Sequence, residues 1–245
     1  MSDENILNIK NVSKIFGGLH ALKDINLSLA QEEILGLIGP NGAGKTTLFN
    51  IIAGVLNPNS GSIIFEDEDI INKRPDQRCK NGIARTFQIT KPFESMDLIQ
   101  NVTVGSYFGK QKINFETAKK KATDVLEFVG MKDFIYTEAK ALSIGNKKKL
   151  ELARALATEP KVLLLDEVIG GLTPTEGNEV VEIIKKIRDS GVSIIMIEHV
   201  MKAVMSISDR MTVLNYGEIL AGGTPKEIAN NKEVIEAYLG GAVNA

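Results

Sequence analysis

Short apolar runs alternate along this chain with stretches whose apolar residues recur every three or four positions. The runs are typical of buried strands, and the spacing of three or four is typical of helices packed against a sheet. Their alternation favours an α/β fold around a largely parallel sheet. Buried strands are predicted at residues 33–38, 162–166 and 193–197, and a short strand at 62–65. Helices are predicted at residues 46–53, 176–190, 201–206 and 225–239.

Three segments depart from this pattern. Residues 6–29 alternate apolar and polar side chains, which is typical of half-exposed antiparallel strands. Residues 211–220 predict a hairpin that turns at 215–217. Residues 92–157 lose the strand runs and carry a helical pattern, clearest over 115–129. We therefore expect a helical subdomain at about 92–157, inserted in a single domain that spans 1–245.

The composition fits a soluble globular domain, with 43% hydrophobic and 24% charged residues. The net charge is −2, whereas chains that bind nucleic acid by charge usually carry a basic excess. We therefore expect no nucleic-acid partner. A single cysteine, Cys79, excludes a disulfide framework and is typical of a reducing compartment. The absence of an apolar leader or a run of 18 apolar residues adds to the expectation of a cytoplasmic location.

A glycine-rich segment follows the first buried strand and precedes a predicted helix. Such a loop lets successive backbone N–H groups converge on phosphate oxygens, and the helix N-terminus adds positive potential. Lys45 would face the β- and γ-phosphates, and the Thr46 hydroxyl suits Mg²⁺. The segment matches the phosphate-loop pattern G-x-x-x-x-G-K-[ST] in Gly39, Pro40, Asn41, Gly42, Ala43, Gly44, Lys45 and Thr46, with Thr47 as a further expected contact.

Two acidic residues follow the predicted strand at 162–166. Ligands of open α/β folds bind at the carboxyl end of the strands, which is where Asp166 is expected. Asp166 suits Mg²⁺, directly or through water, and Glu167 is placed to polarise an attacking water. The alternative interpretation is a helix N-cap. A GTPase is disfavoured because no Asn-Lys-x-Asp motif follows a strand.

With these motifs in place, the chain resembles the ATP-binding subunits of ABC transporters over essentially its whole length. Leu142-Ser-Ile-Gly-Asn146 is similar to the LSGGQ signature of that family. The resemblance implies that Ser143 and Gly145 contact the γ-phosphate of ATP held by an opposing subunit. Ile144, Asn146, Val168 and Thr173 depart from the family pattern without removing a phosphate or metal ligand. The run Lys147–Lys149 is interpreted as a solvated helix face.

The same resemblance assigns three further residues. Gln88, in Arg85-Thr-Phe-Gln, matches the Q-loop, which reports Mg²⁺ and water occupancy to the membrane partner. His199 matches the switch histidine that contacts the γ-phosphate, and Phe16 matches an aromatic residue that stacks on adenine. The alternative interpretations are a core phenylalanine, a surface glutamine and a surface histidine.

Within the family, importer subunits for branched-chain amino acids are most similar, through the segments 84–89, 171–176 and 213–240. The resemblance implies a P-loop NTPase core with a parallel sheet, an N-terminal antiparallel β subdomain and the inserted helical subdomain. It also implies an ATPase that uses ATP and Mg²⁺ and pairs with an identical or different ATPase subunit. The expected partners are integral-membrane permeases and, indirectly, a solute-binding protein. The chain would then be cytoplasmic and peripheral on the inner face of the cell membrane.

Two alternatives remain at this point. One is the ATPase of a lipid or polysaccharide exporter, which carries the same motifs. The other is a soluble ABC protein that acts on ribosomes or DNA. The second is disfavoured because 245 residues hold one cassette, whereas ribosome-type members carry two, and because the long coiled coil of the DNA-repair type is missing.

Overall fold

A computed structural model of the chain describes residues 5–88 and 90–240. The expected domain 1–245 also includes residues 1–4, 89 and 241–245, which lie outside the described part. The strands are β1 (Asn5–Phe16), β2 (Leu19–Ala30), β3 (Ile34–Ile38), β4 (Ser60–Phe65), β5 (Glu68–Asp69), β6 (Ile83–Arg85), β7 (Val162–Asp166), β8 (Ser193–Ile197), β9 (Arg210–Asn215) and β10 (Glu218–Gly223). The helices are α1 (Lys45–Ile52), α2 (Pro75–Asn81), α3 (Leu98–Phe108), α4 (Phe115–Phe128), α5 (Ile144–Leu156), α6 (Pro174–Asp189), α7 (Met201–Ile207), α8 (Pro225–Ala229) and α9 (Lys232–Gly240).

A six-stranded sheet forms the centre of the molecule in the order β10-β9-β3-β8-β7-β6. Neighbouring strands from β9 to β6 are parallel, and β10 runs antiparallel to β9 at one edge. Every residue of β3, β7 and β8 is buried. Parallel strands covered on both faces read as continuous apolar runs, and this is why the sequence predicted these three strands. The α/β fold with a parallel sheet is confirmed, as is the hairpin of β9 and β10.

A second sheet, in the order β2-β1-β4-β5, is antiparallel and lies at the N-terminal part of the chain. Its inward side chains share one hydrophobic cluster with α1 and with one face of the central sheet. Phe49 and Ile52 of α1 are fully buried in that cluster. The helix that follows the phosphate loop is therefore packed between the two sheets, and the expected antiparallel β region is confirmed.

Helices α3, α4 and α5 lie between β6 and β7 in the chain and pack on one another in the second hydrophobic cluster. Each begins at a residue whose side chain accepts a backbone N–H of the first turn: Asp97, Asn114 and Ser143. Such N-caps fix where a helix starts. The helical region is confirmed. None of the helices in residues 5–88 and 90–240 combines the length and apolar character needed to cross a membrane.

The helical C-terminal segment predicted at residues 225–239 is confirmed, but it is interrupted. The structure contains α8 and α9 with Asn230 and Asn231 between them. Asn231 Oδ1 accepts the N–H groups of Glu233 and Val234, at 2.9 and 3.3 Å. An asparagine side chain that bonds to the backbone in this way favours a new helix start over continuation of the preceding one.

Arg78 in α2 is 1% exposed and closes the C-terminal end of α1. Its guanidinium Nη1 donates to the carbonyls of Ile51 and Ile52 at 2.6 and 2.8 Å. Nη2 and Nε donate to the carbonyls of Ile71 and Lys73, both at 2.9 Å. Burial lowers the pKa of Arg78 to about 10, while the charge of Asp69 acts in the opposite direction. The arginine thus binds the negative end of the helix dipole, with each of its three guanidinium nitrogens donating at least one hydrogen bond.

We expect Arg78→Met to lower the free energy of unfolding by about 3 kcal/mol, because it leaves several buried carbonyls without donors. Urea unfolding followed by circular dichroism measures the change. Arg74→Met is the matched control, since Arg74 is exposed and forms only a surface ion pair with Asp76, and we expect a change within about 0.5 kcal/mol. Equal stability of the two variants would contradict the role of Arg78.

Candidate active site

Three strands of the central sheet deliver the candidate residues to one edge. β3 leads into the glycine-rich loop, β7 ends at Asp166, and β8 is followed by Glu198 and His199. β8 lies between β3 and β7 and pairs in parallel with both. The carboxyl ends of the three strands therefore meet at the same edge, which is the usual ligand-binding edge of such sheets.

An open pocket of about 910 Å³ lies at this edge. It brings together most of the residues that the sequence singled out. The wall includes Phe16, Asn41, Gly42, Ala43, Gly44, Lys45, Thr46, Thr47, Gln88, Glu167 and His199. Gly39 and Pro40 contribute through their carbonyls, which bind the Lys45 ammonium. Ser143 and Gly145 lie outside the wall of this pocket.

The backbone of the loop requires glycine at two positions. Gly39 has φ 149°, and a Cβ there would lie 2.0 Å from the Leu214 carbonyl oxygen. Gly44 has φ 105°, and a Cβ there would lie 2.6 Å from the Ala21 carbonyl oxygen. Gly44 is also the N-cap of α1, and within the described chain no side chain caps this helix start. The first N–H groups of α1 have no hydrogen-bond partners inside the helix. They are therefore suited to donate hydrogen bonds to phosphate oxygens.

Lys45 is buried at the base of the loop. Its Nζ donates to the carbonyls of Gly39 and Pro40 at 2.6 and 2.9 Å. Burial lowers the pKa of the Lys45 ammonium from its ordinary value of 10.5, and the charges of Glu167 and Asp166 act in the opposite direction. The ammonium is held among backbone carbonyls, beside the loop where phosphate oxygens would bring negative charge.

The carboxylate of Glu167 forms hydrogen bonds with the other two predicted catalytic residues. Its Oε2 accepts a hydrogen bond from Gln88 Nε2 at 2.8 Å, and its Oε1 lies 2.8 Å from His199 Nε2. The helix-cap alternative for the acidic pair is wrong, because α6 starts only at Pro174 and is capped by Thr173. The side chains of Glu167, Gln88 and His199 form one connected group at the pocket.

The three residues predicted to bind metal line a second groove, of about 750 Å³, which shares Thr46 and Gln88 with the pocket. Asp166 is buried there, with Oδ2 2.7 Å from Nη2 of Arg85. A hydroxyl, a carboxylate and an amide carbonyl are oxygen donors, which Mg²⁺ prefers, and this ion usually keeps waters and substrate phosphates as further ligands. The oxygen atoms of Thr46, Asp166 and Gln88 are therefore suitable ligands for Mg²⁺. Clusters of three or more His, Cys, Asp or Glu able to hold a metal alone are absent from residues 5–88 and 90–240.

Arg85 was not singled out from the sequence, although it lies three residues before Gln88. Besides binding Asp166, its Nη1 donates to Asn50 Oδ1 of α1 at 2.5 Å. Its guanidinium also lies 5.3 Å from the Phe87 ring centroid. Arg85 thus joins the Asp166 carboxylate to the helix of the phosphate loop. The sequence predicted no strand at residues 83–85, so the position of Arg85 beside β7 became visible only in the structure.

The signature segment lies at the start of α5. Ser143 accepts the N–H of Asn146 at 3.2 Å, while the side chain of Ile144 is 64% exposed. Gly145 is buried, and a Cβ there would lie 2.5 Å from Glu176 Oε1. A side chain at position 145 would therefore require the Glu176 carboxylate to move, whereas position 144 accepts the bulky isoleucine because its side chain points to solvent.

Two of the other departures from the family pattern, Thr173 and Val168, fit their local surroundings. Thr173 forms a capping box with Glu176: the Thr173 Oγ1 accepts the Glu176 N–H at 3.3 Å, and the Glu176 Oε2 accepts the Thr173 N–H at 3.0 Å. Threonine provides the N-cap oxygen that aspartate would provide. Val168 is fully buried in the hydrophobic core.

The expectation of a solvated face at Lys147–Lys149 is wrong for Lys148, which is 6% exposed. Its Nζ donates to the Glu167 carbonyl at 2.6 Å. Lys149 is half-buried and pairs with Glu179 of α6 at 2.5 Å. In a helix, residues three and four apart share a face, and Lys148 shares the inner face of α5 with Gly145.

Glu198, between β8 and His199, is 2% exposed and was not singled out from the sequence. Its Oε1 accepts the Ile169 N–H at 2.6 Å, and its Oε2 has no hydrogen-bond partner among residues 5–88 and 90–240. Burial raises the pKa of Glu198 to about 7, against the opposing effects of the Ile169 N–H and Lys148. A buried carboxyl therefore adjoins the predicted switch histidine.

Comparison with protein families gives two matches. The family described as ABC transporter matches residues 22–170, and the family described as branched-chain amino acid ATP-binding cassette transporter matches residues 218–244. The high-affinity branched-chain amino acid transport ATP-binding protein LivG of Escherichia coli is 40% identical, over 97% of this chain and 98% of that protein. Its counterpart BraF of Pseudomonas aeruginosa is 36% identical over the same shares of the two chains.

Solved structures agree with these matches. The ADP conformation of MJ1267, an ATP-binding cassette of an ABC transporter, superposes with a TM-score of 0.89 at 32% identity, over 96% of this chain and 99% of that one. The dimeric post-hydrolysis state of the cassette MJ0796, bound to ADP and Pi, gives a TM-score of 0.80 at 25% identity, over 89% and 98%.

We expect Glu198→Gln to raise stability at pH 8 by up to roughly 3 kcal/mol and to have little effect at pH 5. Between the ordinary pKa of 4.5 and about 7, folded Glu198 keeps a proton that the unfolded chain has lost. The stability of the wild type therefore falls as pH rises through this window, whereas glutamine cannot ionise.

Thermal unfolding at pH 5 and pH 8 measures this difference. Glu182→Gln, at an exposed position of α6, is the control and should be neutral at both pH values. A gain of the same size at pH 5 and pH 8 in the Glu198 variant would show that ionisation of Glu198 is not its cause.

Proposed function

The chain belongs to the ABC transporter family as an ATP-binding subunit with ATPase activity, and on that premise we propose that it powers the import of branched-chain amino acids. The observation that carries the choice of solute is the similarity at residues 218–244. The phosphate-loop motifs serve ATPases with many solutes, so they do not discriminate among them. The described part of this segment forms β10, α8 and α9, and it contributes nothing to the wall of the nucleotide pocket.

ATP binding follows from the geometry of the pocket. We infer that the loop N–H groups and Lys45 bind the phosphates, where the helix start and the buried ammonium both favour negative charge. Phe16 is half-exposed on the wall of the pocket and presents a ring face for adenine. Lys14 Nζ lies 5.0 Å from the centroid of the same ring.

For hydrolysis, Glu167 would accept a proton from the attacking water, and Gln88 and His199 would hold its carboxylate in place. Mg²⁺, held by Thr46, Asp166 and Gln88, would supply charge neutralisation at the β- and γ-phosphate oxygens. Since phosphoryl transfer depends mainly on positioning and electrostatics, the two hydrogen bonds on Glu167 would contribute by fixing the position of its carboxylate.

A second cassette completes the proposed site. Ser143 and Gly145 lie outside the chain's own pocket, and we infer that they contact the γ-phosphate of ATP on an opposing subunit, identical or different. We propose that two subunits close around two ATP molecules, and that closure rearranges integral-membrane permeases which receive solute from a binding protein. The chain would act as one cassette at the inner face of the cell membrane, with residues 92–157 as its helical subdomain. Nothing in its charge balance favours a nucleic-acid partner.

We expect Glu167→Gln to retain ATP binding and to lower hydrolysis at least about a hundredfold, because an amide cannot take the proton from water. Bound ATP should then hold two subunits together. Phosphate release and gel filtration with ATP measure both effects, and Glu182→Gln is the control. Normal turnover, or a variant that stays monomeric with ATP, would contradict the assignment of Glu167.

We expect deletion of the gene in the native cells to abolish ATP-driven uptake of radiolabelled leucine, isoleucine and valine. The wild-type chain should restore uptake and Lys45→Ala should not, because that variant loses the charge facing the phosphates. Lys185→Ala, on the exposed side of α6, is the matched control and should restore uptake. Unchanged uptake of these amino acids in the deletion strain would contradict the proposal that they are the transported solute.

A further inference from the structure

Helix α5 carries buried polar side chains that the proposed reaction does not use. Lys148 and Glu151 are three residues apart on one face, and each is 6% exposed. Burying charged groups costs free energy unless they are paired or hydrogen-bonded. Both side chains reach backbone groups of the candidate active site, so this helix is tied to the site through polar contacts as well as apolar packing.

The contact of Lys148 is made to the residue whose carboxylate would activate water. Glu167 has φ 51°, a left-handed conformation that is unfavourable for a residue with a side chain. Its N–H donates to the Ile197 carbonyl at 2.9 Å, and its carbonyl accepts Lys148 Nζ at 2.6 Å. Both backbone polar groups of Glu167 are therefore held, one by β8 and the other by α5.

Glu151 fixes the same helix to the segment that carries Gln88. Its Oε1 accepts the N–H of Phe87, the residue immediately before Gln88. Arg154, one turn further along α5, donates to the Lys91 carbonyl at 3.0 Å. Since α5 is anchored on both sides of Gln88, the Lys148 ammonium projects from a firmly held element.

We propose that Lys148 is a positioning residue for ATP hydrolysis, which keeps the Glu167 backbone in its left-handed conformation so that the carboxylate faces the attacking water. A hydrogen bond from a charged donor is about twice as strong as a neutral one, and it offsets the unfavourable φ. The carboxylate is then already in place between Gln88 and His199 before ATP arrives. This inference rests on the proposed function, because it deepens the role given to Glu167.

The test compares Lys148→Met, Lys148→Arg and the control Lys149→Met in the full chain. Methionine keeps the apolar stem but loses the donor, so we expect kcat to fall about ten- to a hundredfold, with the Kd for ATP within about twofold of the wild type. Arginine keeps a charged donor and should restore most of kcat. Lys149→Met loses only the ion pair with Glu179 and should turn over like the wild type.

The outcomes separate this inference from the proposed function. Equal kcat values for the two methionine variants would overturn the positioning role, and so would loss of ATP binding together with kcat in Lys148→Met. Failure of arginine to restore any of the lost kcat would also overturn it. A wild-type chain that binds but never hydrolyses ATP would overturn the proposed function and this inference together. Equilibrium binding of a fluorescent ATP analogue and a phosphate-release assay provide the two readouts.

Discussion

Parallel pairing of β3, β8 and β7 is the constraint on which the active site depends. In this register Leu37 and Asp166 both lie opposite Ile197 on the central strand β8. The phosphate loop, the acidic pair and the histidine consequently leave the sheet side by side, although they are far apart in the chain. The Glu167 N–H then continues the ladder by donating to the Ile197 carbonyl at 2.9 Å. A slip of one residue in this pairing would turn every side chain of a strand to the opposite face, and the site would be lost.

The charges around this edge are buried, and each has partners that offset the cost of burial. Lys45 binds two loop carbonyls, Asp166 pairs with Arg85, and Lys148 binds the Glu167 carbonyl. Such preorganised dipoles and charges need little rearrangement when substrate charge develops. Glu198 is less fully paired: one of its oxygens, like Arg85 Nε and Glu151 Oε2, has no hydrogen-bond partner within the described residues, and burial raises the pKa of Glu198 to about 7.

Left-handed backbone conformations also occur at this edge of the sheet. Gly39 and Gly44 adopt left-handed conformations in the phosphate loop, where side chains would collide with the carbonyls of Leu214 and Ala21. Glu167 adopts a left-handed conformation despite its side chain. Unfavourable backbone conformations persist only where the surrounding structure holds them, and the packing of α1 between two sheets provides that support on the side of the loop.

The sequence by itself determined the features whose chemistry is local. The phosphate loop is one contiguous segment, and buried parallel strands are apolar throughout. These features predicted the fold, the pocket and most of its wall. The tertiary structure decided which of the remaining polar residues join the site. Lys148 and Glu167 are 19 residues apart in the chain, and Arg85 and Asp166 are 81 apart. Three consecutive lysines look alike in sequence, and only the packing of α5 against the sheet decides that Lys148 is the buried one. Burial and partners depend on contacts between distant segments, and these exist only once the chain has folded.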